Sequence, residues 1–475
     1  MERSYRETEV KRLIAGAIAP LLARIAELEQ RVVELEAENA RLKKNSSNSS
    51  KPPSSDIVKP PKNPSPKSSG GGKIGGQPGH VKYERPAFPP EQVDQVKEYR
   101  LATCPDCGRR VHRAATSVPV AVLQQIELVA RPLLVTEHRA YAAWCLRCRK
   151  FHAAPLPTEV EKAGLLGPRL TALTGWFKSR GRDSYSIVGE FLEDVGGIKV
   201  SRGLLAKAIQ KVSAALEKPY EELCQALESQ PVLNVDETGH PENKKRMWTW
   251  VFRADRFTVF HIDPSRGSPV LVALLGTQFQ GVLGCDYFSA YRQYMGAHNV
   301  RVQFCLAHLI RDLKFLTTLS DAVTIRWAHQ MLAGMRRLFG VIHRRESLTP
   351  EGFQRALGRA RKVLLERGKR GPRRNEVQNL IQRFKTHGEA YFRFVTTPGI
   401  APTNNLAEQA LRFVVIERRL TQGTRSIHGR HWCQRSWTAA ATCLQQGRSW
   451  FDYLCSALDA YFTDRPIPSL MPTGP

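Results

Sequence analysis

The spacing of apolar and polar residues changes several times along the chain, and each change marks a candidate element. From Pro20 to Lys43 leucine recurs every seventh residue, at Leu21, Leu28, Leu35 and Leu42, with Ile25, Val32 and Asn39 at the second seam position. This heptad pattern predicts a short coiled coil over 1–43. In a parallel self-pairing Arg24 would face Glu29, Arg31 would face Glu36 and Glu38 would face Lys43; Asn39 in the seam favours two strands in register. Residues 44–84 are rich in Ser, Pro, Gly and Lys with almost nothing apolar, and predict a flexible basic linker. Over 85–158 alternation returns, as in VTEHRAYAAWC, and predicts a small strand-rich module. The period turns helical over 159–228. Five short runs follow within 229–314, namely PVLNVD, MWTWVF, FTVFHI, GVLGCD and VRVQFC, and predict a sheet. Residues 315–398 are basic and helical, and 399–475 form a last, mainly helical section.

Composition sharpens this outline. The chain has 475 residues, of which 42% are hydrophobic, enough for real cores in two to four domains and too much for wholesale disorder. It has no run of 18 apolar residues, and its first residues, MERSYRETEVKR, lack the apolar stretch of a signal peptide, so a cytoplasmic protein with no membrane contact is expected. Lys and Arg number 71 against 44 Asp and Glu, a net charge of +27. An excess this large and widely spread points to nucleic acid, because neutralising phosphates releases counterions.

Three constellations carry chemistry. Cys104-Pro-Asp-Cys107 and Cys145-Leu-Arg-Cys148 are paired knuckles whose four thiolates suit one tetrahedral zinc ion with no open position, hence a structural site. His112 and His152 lie nearby as alternates. Over 184–210, SYSIVGEFLEDV, the Gly196-Gly197 turn and a helix capped by Ser201 read as a helix-turn-helix, with Lys199, Arg202, Lys207 and Lys211 on or beside the second helix as candidate DNA contacts. The third constellation is acidic. Asp236 is read as ending a strand that carries Asn234 on the same face; Asp286 ends GVLGCD; Glu408 lies on a helix opened by Pro402-Thr403, with Leu406, Ala410, Leu411 and Val414 toward a core. Two such aspartates and a helical glutamate suit a two-metal phosphoryl-transfer site, in which Mg²⁺ or Mn²⁺ ions about 3.5–4 Å apart are held by carboxylates.

At these residues the chain resembles the bacterial DDE transposases of the insertion-sequence-66 family. The likeness runs through the N-terminal heptads, NSSNSSKPPSSD, GGQPGH, the cysteine knuckles, LNVDETGH, CDYFSAY, CLAHLIRDLKFL, PTNNLAEQALR, QGTRS and LQQGRSWFDYL. It implies a multidomain α/β protein: an RNase H-like core at 229–314 and 399–475, split by a helical insertion at 315–398. A coiled coil, a zinc-ribbon-like module and a helix-turn-helix precede the core. It further implies that Asp236, Asp286 and Glu408 are the catalytic acids and the ligands of two magnesium ions. The reaction implied is hydrolysis that frees 3′-hydroxyls at the element ends, then transesterification into target DNA. Double-stranded DNA, a homodimer or higher homo-oligomer through the coiled coil, and small accessory proteins are the implied partners. Cys305 and His308 resemble an auxiliary Cys-x-x-His element of DDE families with insertions, and Arg412 is a candidate phosphate contact. An RNase H-like nuclease or resolvase, and a non-enzymatic zinc and helix-turn-helix regulator, stand as alternatives.

Overall fold

The computed structural model describes residues 7–43, 86–110, 119 and 121–472. The linker read over 44–84 and His112 lie outside these described residues. The chain divides into two compact units, one of Met1–Pro60, His138–Glu193 and Lys199–Pro475 and the other of Pro61–Glu137 and Asp194–Ile198.

The heptad segment is helical. Helix α1, Glu7–Lys43, begins well before the repeat and carries Pro20 in its interior. Its seam residues Leu21, Ile25, Leu28, Val32 and Leu35 are exposed, while Arg24 and Arg31 pair within the helix, with Glu27 at 2.6 Å and Glu34 at 3.0 Å.

Across 86–158 the expectation of a strand-rich module needs correction. Among the described residues only β1, Ala142–Cys145, and β2, Lys150–Ala153, are strands, an antiparallel pair. Among the described residues the alternating side chains of 121–135 have no partner strand: Leu123, Ile126 and Leu134 are exposed, and alternation without a surface to cover does not make a strand.

Helices α2 (Thr158–Ala163), α3 (Pro168–Trp176), α4 (Tyr185–Asp194), α5 (Arg202–Ala215) and α6 (Glu217–Gln225) follow. Ser201 caps α5 as read, its hydroxyl accepting the Leu204 N–H at 3.2 Å, and Gly197 takes the positive φ of 67° that the turn requires.

The five apolar runs become one sheet. Strands β3 (Val232–Glu242), β4 (Lys245–Arg253) and β5 (Thr258–Asp263) form an antiparallel meander; β6 (Val282–Cys285) and β7 (Arg301–Phe304) add in parallel on the other side of β3, giving the order β5-β4-β3-β6-β7. Helices α7 (Pro269–Leu275) and α8 (Ser289–His298) connect β5 to β6 and β6 to β7. Leu233 and Val235 are fully buried within the core. On one face of the sheet Trp250 meets Tyr291 of α8 edge-on. On the other, Phe260 meets Phe413 and Trp437, from helices α14 and α15 given below.

After β7 come α9 (Leu306–Leu316), α10 (Ala322–His343), α11 (Pro350–Gly368), α12 (Asn375–His387) and the short α13 (Arg393–Thr396), then α14 (Asn405–Thr421), α15 (Ile427–Gln445) and α16 (Trp450–Phe462). Side chains bond to both edges of the five-stranded sheet. At β5 the N–H groups of Thr258 and Phe260 donate to the hydroxyls of Thr442 and Thr438, one turn apart on α15. At β7 the Gln303 amide bonds to the Tyr391 carbonyl and accepts the Phe394 N–H, while Arg393 donates to the Val302 carbonyl. Such bonds leave fewer edge groups unpaired.

Candidate active site

The sheet itself sets the first two acids level. In the parallel ladder Val232 pairs with Val282, Leu233 with Leu283 and Asn234 with Gly284. Continuing that register puts Asp236 opposite Asp286, which stands one residue past the end of β6. The reading that β3 ends at Asp236 is corrected: β3 runs six residues further, because β4 goes on pairing with it as far as Glu242. What ends near Asp236 is its parallel neighbour. The carboxylate oxygens are tied down locally, Oδ1 of Asp236 accepting from the Glu237 N–H at 2.9 Å and Oδ1 of Asp286 from the Phe288 N–H at 2.8 Å.

Glu408 reaches the site from a helix that begins 119 residues after Asp286, in the first turn of α14. A buried amide fixes that helix start. Asn404 donates from Nδ2 to the Val235 carbonyl at 2.7 Å and accepts from the Asn234 side chain at 3.0 Å; its backbone N–H donates to Cys305 Sγ at 3.1 Å. The Leu306 N–H bonds the Pro402 carbonyl at 3.0 Å. Gly284 leaves room for this arrangement, since a Cβ there would lie 2.6 Å from Asn234 Nδ2. On α14 the buried apolar residues are Ala407, Leu411 and Val414; Leu406, expected toward the core, is exposed.

The electrostatics mark a site with excess negative charge. Burial, and then the charges of Glu237, Asp286 and Glu408, hold the Asp236 carboxyl well above the usual carboxylate range. Burial also raises Asp286, against the pull of the Phe288 N–H and Arg266. Neither aspartate forms an ion pair within 4 Å among the described residues. Oxygen donors crowded by like charge, the two aspartates without a directly paired cation, fit magnesium, which takes oxygen ligands and relieves that repulsion.

Glu237 points the other way, as strand alternation requires. Arg266 donates to its Oε1 at 2.7 and 2.9 Å and Tyr291 to its Oε2 at 2.5 Å. Burial pushes this carboxyl up to about 7. Arg266 in turn lies over the Trp248 and Phe288 rings, so the network joins β3 to the segment following Asp286. The helical insertion also meets the site: Arg383 of α12 sits over Tyr287, next to Asp286, and pairs with Asp312 at 2.8 Å.

Beside Glu408 lie Cys305, the residue before α9, and His308 in its first turn. Burial, and then Arg311, bring His308 down to about 4, a neutral imidazole at ordinary pH. Arg311 Nη2 lies 3.5 Å from Glu408 Oε2. Arg311, Arg266 and Tyr291 carry no signal in the sequence; Asn404 is marked there only by its place four residues before Glu408, on the same side of the helix.

The remaining predicted residues sit elsewhere. Arg202, Lys207 and Arg412 are exposed, and Lys199 lies 3.7 Å from Glu193. Lys211 turns inward, donating to the Ala163 carbonyl at 2.9 Å and lying over Phe462. Each cysteine knuckle has the same local turn: the N–H of Gly108 bonds the Cys104 carbonyl and that of Arg149 the Cys145 carbonyl, both donors at positive φ. Cys104 and Cys107 belong to one compact unit and Cys145 and Cys148 to the other. Ligand atoms of Cys145, Cys148 and His152 lie within 4.8 Å of one another.

Fold and site together define an α/β protein with three acids gathered at one end of a mixed sheet. Residues 166–431 match the Transposase IS66 family. The match spans more than half the chain and contains all three acids, and the chain belongs to that family. Residues 1–86 match a family of unknown function (DUF6444). No curated protein matches the chain. No helix among the described residues is long and apolar enough to cross a membrane.

Proposed function

We propose that this transposase-family chain is an RNase H-like DDE enzyme that binds the ends of an insertion sequence and cuts and joins DNA with magnesium. The observation that carries this reading is the sheet register that sets Asp236 level with Asp286, with Glu408 near enough to add to the charges that raise the Asp236 carboxyl. The meander flanked by two parallel strands supports the RNase H-like assignment. Asp236, Asp286 and Glu408 would hold two magnesium ions. When bound, these would supply an activated water or 3′-hydroxyl and a charge sink for the departing oxygen.

The chain's own residues do the positioning. The sheet register holds the two aspartates level, Asn404 holds α14 against β3, and the Glu237–Arg266–Tyr291 network braces the far side of the strand. The cysteine knuckles are assigned to structural zinc, Arg202 and Lys207 of α5 to the DNA backbone, and the exposed α1 seam to pairing of protomers.

Asp236→Asn is the test. With labelled element ends and magnesium, the wild type is expected to cleave and then join strands, and the variant to lose both while still retarding the DNA. Cleavage without joining would support a nuclease instead. A wild type inert on its cognate ends would sink the proposal.

A further inference from the structure

Two buried polar atoms at the third acid have no hydrogen-bond partner: Nδ1 of His308 and Oε1 of Glu408. They face each other across 3.6 Å, too far for a hydrogen bond. Burying unsatisfied polar atoms is costly, and a pair aimed at one point calls for a third body between them. Cys305 supplies the remaining donor. It is 2% exposed, and its Sγ, the His308 nitrogen and the Glu408 oxygen lie within 4.8 Å of one another.

We infer that Cys305, His308 and Glu408 form a site for one divalent transition-metal ion, with zinc the best fit, distinct from the magnesium pair and sharing Glu408 with it. The inference rests on the transposase reading only for that sharing. The donor set decides the metal. Sulfur and imidazole suit zinc, whereas magnesium takes oxygen and leaves thiolates alone. A thiolate and a carboxylate offset the two positive charges of the ion, and Arg311 lies 3.5 Å from the second carboxylate oxygen and 3.4 Å from Nε2 of His308. Three protein ligands leave the fourth tetrahedral position open. The Asn404 N–H already donates to the sulfur, as amide donors do around metal-bound thiolates, and ties the ligand to the segment that positions Glu408. The ion would therefore act on catalysis by orienting the third acid.

The experiment is a metal titration of the full-length protein, stripped with chelator and reloaded with zinc, then with cobalt. Cys305→Ser is expected to hold one ion fewer per chain than the wild type and to lose part of the thiolate-to-cobalt absorption. Whatever the cysteine knuckles hold is common to both proteins, so the difference is the readout. His308→Ala, which removes a ligand outright, is expected to weaken the same site by more than the roughly 100-fold that losing a ligand's outer partner can cost, and it carries the comparison should Cys305→Ser fail to fold. Asp236→Asn is expected to keep the ion, which separates this site from the magnesium pair. A wild type that fails to cut DNA yet loses an ion on Cys305→Ser overturns the transposase reading alone. Folded Cys305→Ser and His308→Ala proteins that bind as much zinc as the wild type, as tightly, overturn the inference.

Discussion

Asp236 and Asp286 reach the site differently from Glu408. Asp236 lies on β3 and Asp286 directly follows its parallel neighbour β6, so backbone ladder bonds fix their relation before any side chain is involved. Glu408 comes from a helix beyond the whole insertion, and a few side-chain and loop bonds around Asn404 set its place. A ladder spreads its constraint over many equivalent bonds. A single buried amide concentrates it, so the third acid is the one that remote substitutions can displace.

The largest effect expected is on chemistry itself. Replacing any acid with its amide, as in Glu408→Gln, should lower the strand-cleavage rate by about three orders of magnitude or more without unfolding the protein, measured by single-turnover cutting of labelled ends. Asn404→Ala comes next and tests the contrast directly. It strands Asn234 and the Val235 carbonyl, so a loss of about 2–4 kcal/mol in denaturant unfolding is expected. Cleavage should also fall about 10- to 100-fold through misplacement of Glu408. Unchanged cutting by folded Asn404→Ala would mean that α14 is held by its apolar face alone. Gly284→Ala, which pushes a Cβ into the Asn234 amide, should reproduce a milder version, about 1–3 kcal/mol.

The far end of α14 should affect stability and leave cutting nearly unchanged. Glu417 is buried beside Trp437, whose indole donates to it at 2.8 Å, and burial raises its carboxyl to about 7. A raised folded pKa means that the native state holds a proton the unfolded chain has released. Stability from this group is therefore full below about pH 4.5 and is lost as pH rises toward 7. Glu417→Gln should flatten that decline and gain about 2–3 kcal/mol at pH 8, with cleavage within about twofold of wild type.

How much of this was legible in the sequence follows the same division. The five strand runs, the Ser201 cap and the two aspartates are local patterns, and β3 to β7 fall where those runs are. The continuation of β3 past Asp236 was hidden because it depends on β4. The alternation in 121–135 misled because a strand needs a partner, which a period of two does not supply. Asn404 and Arg311 gave little sign because their bonds to Val235 and Glu408 cross 169 and 97 residues of sequence. Leu406 fitted the helical period yet lies exposed, so period alone does not fix the width of the buried face.

The bonded sheet edges bear on how protomers meet. Threonines of α15 hold two outer N–H groups of β5, and on β7 Arg393 and Gln303 donate to the Val302 and Phe304 carbonyls. Those bonded groups are closed to a neighbouring strand. Were copies to gather on two DNA ends as proposed, contacts through helices and loops would leave unaltered the sheet that aligns the two aspartates.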